Sequence, residues 1–326
     1  MPVKIFSDYP DVDDKHSTDP RFVFVAAQGE ADVLFTVQHV RDFIGLRPTV
    51  RVNQFPFEAC LIRKDMLPLT ARTISPTPAW YLQTYDLRTE AAQFIAEFSR
   101  RRASGHRTWI VKPAQAARAA RVYVSDDLQA ILRRSDPPLP DQIVQLYVRD
   151  PMLIDGRKFD LRVFVCVLSF APFKAYVQRN IYARLAPKKF AAADNLHDLA
   201  AHVTICLYDP DPVIAAQQDM LTPLQLQAEL ASAGHSWGKI EASIHAAIGE
   251  LFRAASPIIG EWPRSRAVYG VDVMLDAAGS PYILEVNFCP DFGSPLRRVH
   301  EGYPHFIDNL LSVLFTDSVP DTMTPL

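Results

Sequence analysis

Two segments late in the sequence place oxygen-bearing side chains where a buried strand should be apolar. "VYGVDVML" (268–275) and "PYILEVNF" (281–288) flank the turn sequence "DAAGS" and predict a β-hairpin. Pairing Asp276 with Pro281 across a four-residue loop sets Asp272 opposite Glu285 and Gly270 opposite Asn287. The two-residue period of a strand then sorts the faces. Val271, Val273, Leu275, Leu284, Val286 and Phe288 point to a core, while Asp272, Glu285 and Asn287 point the other way, with Gly270 leaving room beside them. Two carboxylates at cross-strand distance repel unless a cation lies between them. Three hard oxygen donors without His or Cys suit Mg²⁺, which completes its shell with water and phosphate oxygens. The alternative is that one acid is protonated or bonded to an arginine such as Arg264 or Arg266.

A second alternating stretch, "GRKFDLRVFV", puts Lys158, Asp160 and Arg162 on one face and Phe159, Leu161, Val163 and Val165 on the other. Such a cation–anion–cation row suits either a solvated face or a polyanion site. "TWIVKP" ends an apolar strand on Lys112, which can reach a phosphate as a point charge or snorkel to water. The sequence holds no G-x-x-x-x-G-K-[ST] or G-x-G-x-x-G phosphate loop, and no H-E-x-x-H or G-x-S-x-G. The remaining possibility is an ATP·Mg²⁺ site built from dispersed lysines and the acid/acid/amide set.

The surrounding elements follow from pattern. "RFVFVAA", "DVLFTV" and "PTVRVNQFP" predict short strands; residues 89–105, with apolar spacing of three and four and a terminal Gly105, predict a helix. Then come the strands "RTWIVKP", "ARVYVS", "DQIVQLYV", "KFDLRVFVCVLSF" and "FKAYVQRNIYARL". "TPLQLQAELASAG" opens with Thr222, Pro223 and Gln225, the pattern of a capped helix start. In "WGKIEASIHAAIGELF", Ile240, Ile244, Ile248, Leu251 and Phe252 form one helical stripe, and "HFIDNLLSVLF" predicts a last helix. Strands grouped between helices make the fold class α/β (α+β) with mixed sheets. Proline-rich connections at 75–80, 135–141 and 208–212 read as loops. Soft boundaries near 70 and 148 divide the 326 residues into units 1–70, 71–148 and 149–326.

Composition bounds the function. With 48% hydrophobic and 22% charged residues the chain is a globular protein with a substantial core. A net charge of −3 argues against a general nucleic-acid binder. Cys60, Cys166, Cys206 and Cys289 form no C-x-x-C pair, and the N-terminus has no apolar signal region, so a cytoplasmic, non-membrane protein is expected.

Taken in order, "WIVKP", "IVQLYVRDPMLIDGRKFDLRVFV" and "YGVDVMLD…PYILEVNFCPD" resemble the tubulin–tyrosine ligase-like family of the ATP-grasp superfamily, over roughly residues 18–317. The resemblance implies three ATP-grasp subdomains with ATP between the central and C-terminal sheets. It implies that Lys112 and Lys158 contact phosphates, that Gln145, Leu146, Tyr147 and Val148 form the hinge against adenine, and that Asp160 lies near the nucleotide. Asp272, Glu285 and Asn287 would hold Mg²⁺. Arg162 and Arg184 would steer the carboxylate or acyl phosphate and the incoming amino acid. The implied chemistry joins a free amino acid to a protein carboxylate, with tubulin or microtubules as partner, and a cytoskeleton-associated location.

Three positions depart from the family pattern. The loop after Lys112 reads "AQAARAARVYV" without glycine, so backbone amides approach phosphates less freely and Arg118 or Arg121 would have to act by side chain. Leu146 stands where the family commonly has lysine, and Ile205 ends an "HVTI" run where asparagine is expected. These changes also fit a module of the same fold that binds ATP or tubulin without turnover. Basic runs at 100–102, 187–189 and 297–298 could form a surface for acidic tails or be ordinary solvated charges.

Overall fold

The computed structural model describes residues 1–326 except 104, 106–107, 116–120, 134–140, 191–195, 206–218, 294–298, 300–304 and 317. Three sheets order the chain. The first is parallel, β2-β1-β3-β4, formed by β1 (Val3–Ser7), β2 (Phe22–Phe24), β3 (Val33–Phe35) and β4 (Arg51–Val52). The second is antiparallel, β5-β8-β6-β7, formed by β5 (Thr84–Asp86), β6 (Trp109–Pro113), β7 (Tyr123–Ser125) and β8 (Gln142–Leu146). The third is antiparallel with eight strands: β9 (Leu153–Ile154), β10 (Arg157–Phe170), β11 (Phe173–Gln178), β12 (Tyr182–Lys189), β13 (Asp219–Leu221), β14 (Ala267–Leu275), β15 (Pro281–Asn287) and β16 (Met323–Pro325). Among the described residues, no helix is long and apolar enough to cross a membrane.

Strand β10 is the axis of the third sheet. Its first half pairs β12 on one edge, its second half pairs β11, and β14 runs along the other edge from Leu161 to Val167. The alternation read from sequence holds: Phe159, Leu161, Val163 and Val165 enter the largest core. The opposite face is also buried, because Phe164 and Cys166 join a second core. In chain order the helices are α1 (Ala59–Ile62), α2 (Leu67–Ala71), α3 (Ala91–Ala103), α4 (Leu128–Arg133), α5 (Leu199–His202), α6 (Pro223–Ser232), α7 (Trp237–Ile259) and α8 (Phe306–Phe315). Helices cover both faces of this sheet, and two others, α3 and α4, pack on the second sheet. Helix α7 lays its predicted isoleucine stripe on the main core, and α8 packs the second core with the first sheet. Helix α6 carries the full capping box: Gln225 N donates to Thr222 Oγ1 at 3.3 Å, and Thr222 N donates to Gln225 Oε1 at 2.9 Å.

The hairpin β14–β15 has the predicted register at one end only. Gly270 faces Asn287 and Asp272 faces Glu285, but Leu275, not Asp276, faces Pro281. The one-residue difference is taken up by a bulge that leaves Leu284 opposite no residue of β14. The expected inward pointing of Leu284 is therefore corrected: it turns out of the main core into a small cluster with Leu82, Val148 and Met274. Phe288 is corrected too, since it lies past the strand and stacks on His39 at 4.9 Å between ring centroids.

Leu161 is wholly buried at the centre of β10. Leu161→Ala removes packing from the main core and is expected to lower the unfolding free energy by about 3 kcal/mol, read from the shift of the urea midpoint at unchanged m-value.

Candidate functional site

A cleft enclosing about 830 Å³, part of it open to solvent, lies between the second and third sheets. From the second sheet and its exit come Ile110, Lys112, Gln145, Leu146, Tyr147 and Val148; from the third come Lys158, Asp160, Asp272, Met274, Leu284 and Glu285. The segment 202–205, Leu82, Pro113, Val122 and Lys64 complete the wall. Of the residues singled out from sequence, Arg162, Arg184 and Asn287 stand behind this surface, joined to it through Asp160, Asp272 and Glu285.

Register explains the arrangement. In β-sheets, directly opposed residues have their side chains within contact. Asp160 on β10 faces Arg184 on β12, and Arg162 on β10 faces Asp272 on β14, which in turn faces Glu285 on β15. Arg184 Nε donates to Asp160 Oδ1 at 2.7 Å, and Arg162 Nε donates to Asp272 Oδ1 at 2.6 Å. Arg184 Nη2 also lies 2.9 Å from Asp272 Oδ2, at an oblique angle that makes it an ion pair rather than a directed hydrogen bond. The row is buried, not a solvated face: Lys158, Asp160, Arg162, Arg184 and Asp272 are all at most 6% exposed. Burial alone would raise the Asp272 pKa, but the guanidinium groups of Arg162 and Arg184 outweigh it and hold the carboxyl well below its usual range. Arg264 and Arg266, named as alternative partners, donate instead to backbone carbonyls.

Gly270 makes the Arg162 contact possible. A Cβ there would lie 2.7 Å from Pro290 Cβ and 3.2 Å from both Cδ and Nη1 of Arg162. Thr204 donates its hydroxyl to Asp160 Oδ2 in a very short hydrogen bond. Asn287 Nδ2 lies 3.2 Å from Asp272 Oδ2 and 3.2 Å from Glu285 Oε1. A half-turn of that amide brings its oxygen to the same place, so two carboxylates and an amide converge on one point. This donor set fits a hard divalent cation. It is a mixed set: among the described residues, no group of three or more His, Cys, Asp and Glu side chains could hold a metal.

The two lysines are held differently. Lys112 Nζ donates to Gln145 Oε1 at 2.8 Å, and Gln145 Nε2 donates to Thr84 Oγ1 at 3.2 Å. Lys158 Nζ donates to the Tyr147 hydroxyl at 2.9 Å and sits 4.2 Å from the centroid of its ring. When Lys158 is protonated its ammonium group can only donate, which leaves the phenolic proton to be donated to His202 Nδ1, 2.6 Å away. Desolvation pushes the Lys158 pKa down to about 7, against the attraction of Asp160, and that of Lys112 down to about 8, against Glu285.

Sequence reasoning missed Lys64, which reaches across the cleft to place Nζ 3.1 Å from Glu285 Oε2. It also missed the acceptor role of His202 and the Thr204–Asp160 bond; "HVTI" was the available signal. Arg118 and the basic pair 297–298 lie outside the described residues, as does most of the loop after Lys112. Arg121 is exposed with a left-handed φ of 59°. In the other basic runs, Arg100 and Arg101 pair with Glu97, Lys188 with Asp198 and Lys189 with Asp155.

Comparison with known proteins follows the same lines. The family model described as "Tubulin-tyrosine ligase family" matches residues 45–325. The chain is 34% identical to tubulin–tyrosine ligase-like protein 12 of Mus musculus over 93% of its own length and 50% of that protein's. It is 31% identical to the protein of that name in Caenorhabditis elegans, over 99% and 50%. A tubulin polyglutamylase of Homo sapiens is 26% identical over 74% of this chain and 32% of its own. The chain thus spans about half the length of the first of these curated relatives.

The buried lysines make a pH prediction. Because the Lys158 pKa is about 7 in the folded protein and 10.5 when unperturbed, the unfolded chain holds the extra proton between those values and stability rises with pH. The penalty of the buried cation is complete below pH 7. Lys158→Met, of similar volume, is expected to leave the ligand-free melting temperature at pH 7 equal or higher. Its rise in stability from pH 7.5 to 9, followed by differential scanning fluorimetry, should be smaller than that of the native chain.

Proposed function

Because this chain belongs to the tubulin-tyrosine ligase family, we propose that it is an ATP- and Mg²⁺-dependent ligase that joins an amino acid to a protein carboxylate on tubulin tails, through an acyl phosphate. The observation that carries the reading is the convergence of Lys112, Lys158, Asp272 and Glu285 on one cleft between two sheets. A purely structural scaffold has no reason to aim two desolvated cations and two carboxylates into a common space, since each unpaired buried charge is costly.

The roles follow from the positions. The apolar wall of Leu82, Val148, Met274 and Leu284 suits the flat face of adenine, with the backbone of Gln145 to Val148 alongside. Lys112 and Lys158 hold phosphate oxygens, and an incoming polyanion restores full charge to both ammonium groups. Asp272, Glu285 and Asn287 would hold Mg²⁺. Bound there, ATP would supply the phosphoryl group that activates the acceptor carboxylate, with ADP leaving and phosphate then displaced by the attacking amine, while Mg²⁺ would offset charge on the phosphate oxygens. Arg162 and Arg184 stay charged at any physiological pH and orient the acid and the amino acid from behind Asp272. Asp160, pinned by Arg184 and Thr204, keeps that guanidinium fixed.

A second reading is favoured by one specific observation. Ile205 lines the cleft where the family resemblance expects an asparagine, and Leu146 lines it where a lysine is common. In this reading the chain binds ATP or tubulin and modulates tubulin modification with little turnover of its own.

Purified chain incubated with ATP, Mg²⁺, detyrosinated tubulin and labelled tyrosine or glutamate separates the two. The ligase reading expects incorporation that drops on the order of a hundredfold or more in Glu285→Gln. Thermal stabilisation by ATP·Mg²⁺ without incorporation supports the second reading. Absence of both effects removes the nucleotide site itself.

A further inference from the structure

Among the described residues, the carboxylates of the cleft are each matched by a cationic side chain. Asp272 is neutralised by Arg162 and Arg184, and Glu285 by Lys64. The three cations differ in how firmly they are held. Arg162 is wedged beside Gly270 and Pro290, and Arg184 is fixed between two carboxylates; both side chains are at most 7% exposed. Lys64 is instead 17% exposed and Glu285 22%, and Lys64 projects from the tight turn between α1 and α2 on a flexible four-carbon stem.

We infer that Lys64 is a built-in counter-ion that holds the place of the divalent cation at Glu285 in the ligand-free protein and withdraws when that cation binds. The inference rests on the assignment of Asp272, Glu285 and Asn287 as cation ligands made above. A cation and an ammonium group on the same carboxylate repel each other, so one displaces the other. Of the three cations, Lys64 is the most exposed and the one that lies outside the sheet. The backbone of its turn stays where it is, because Leu61 and Leu67 on either side are buried in the main core and Thr70 Oγ1 donates to Cys60 O at 2.8 Å. The start of α1 is tied to β14 as well: Glu58 Oε2 accepts hydrogen bonds from Tyr269 Oη at 2.6 Å and from Phe55 N at 3.1 Å. Exchange is therefore a side-chain rotation at a fixed Cα. Its consequence is coupling: a free divalent cation must evict Lys64 alone, whereas one arriving with a polyphosphate brings negative charge for the released ammonium group to face. Cation and nucleotide then load together, each raising the affinity for the other.

Mn²⁺ in the absence of nucleotide is the probe, its free concentration read by electron paramagnetic resonance with the full chain. Lys64→Met is expected to bind Mn²⁺ about tenfold more tightly than the native protein, the loss of one nearby like charge discounted for solvent screening. Lys64→Arg should stay near the native affinity, and Glu285→Gln should lose binding in either background. Lys64→Gln serves as a second neutral variant if Lys64→Met does not fold. Equal or weaker Mn²⁺ affinity in the neutral variants overturns the inference, as does an absence of Mn²⁺ binding in all of them. ATP stabilisation that needs Glu285, with no Lys64 effect on Mn²⁺, overturns this inference alone. The tenfold effect without any ATP response leaves it standing and removes the ligase reading.

Discussion

The structure depends on a row of opposite charges across four adjacent strands: the buried Arg184 on β12, Asp160 and Arg162 on β10 and Asp272 on β14, ending on the partly exposed Glu285 of β15. Buried ion pairs contribute little net stability, because desolvation of each ion consumes most of the attraction between them. What such a row does supply is position. Each guanidinium fixes a carboxylate to within a hydrogen bond's tolerance, and Arg184 links the row by lying between Asp160 and Asp272. The same strand that carries the row on one face carries Phe159, Leu161, Val163 and Val165 on the other, so the apolar core holds the charges in register. Packing and electrostatics are thus two faces of one strand.

Arginine and lysine divide the work in this cleft. Arg162 and Arg184 remain charged whatever their surroundings and form the permanent part of the row. Lys112 and Lys158 are poised near neutrality by desolvation, so their charge responds to what enters the cleft. Tyr147 and Gln145 supply each ammonium group with one acceptor. A single neutral hydrogen bond is a modest substitute for hydration, and a polyanion is a much better one. The desolvated ammonium groups are thus a local cost that the extensive cores carry.

Much of this was legible in the sequence because period two is a strong constraint. Asp272, Glu285 and Asn287 could be placed together from the hairpin alone, and Lys158, Asp160 and Arg162 from one alternating strand. The bulge at Leu284 was invisible, since the sequence on either side reads equally well in both registers; only the matching of Leu275 to Pro281 at the turn exposes it. Strand β1 was missed because "VKIFS" alternates weakly and is short, although it stands at the centre of the first sheet. Lys64 was missed for a different reason. It lies on a turn between helices of four and five residues, too short for any periodic signal, and meets Glu285 across 221 positions of chain only through tertiary packing.

Two positions that depart from the resemblance, Leu146 on β8 and Ile205 after α5, line the cleft. Leu146 lines the cleft at the end of β8, and its amide donates to Gln83 O at 2.8 Å, so an apolar side chain here leaves the backbone satisfied. Ile205 follows Thr204, whose bond to Asp160 is kept. Both side chains are apolar where they face the cleft, and the buried row and the oxygen set of Asp272, Glu285 and Asn287 are left intact. Binding that relies on desolvated lysines and an oxygen cage tolerates such apolar positions better than phosphoryl transfer does. Transfer needs stabilisation that grows as charge develops, and each missing donor subtracts from that difference rather than from affinity.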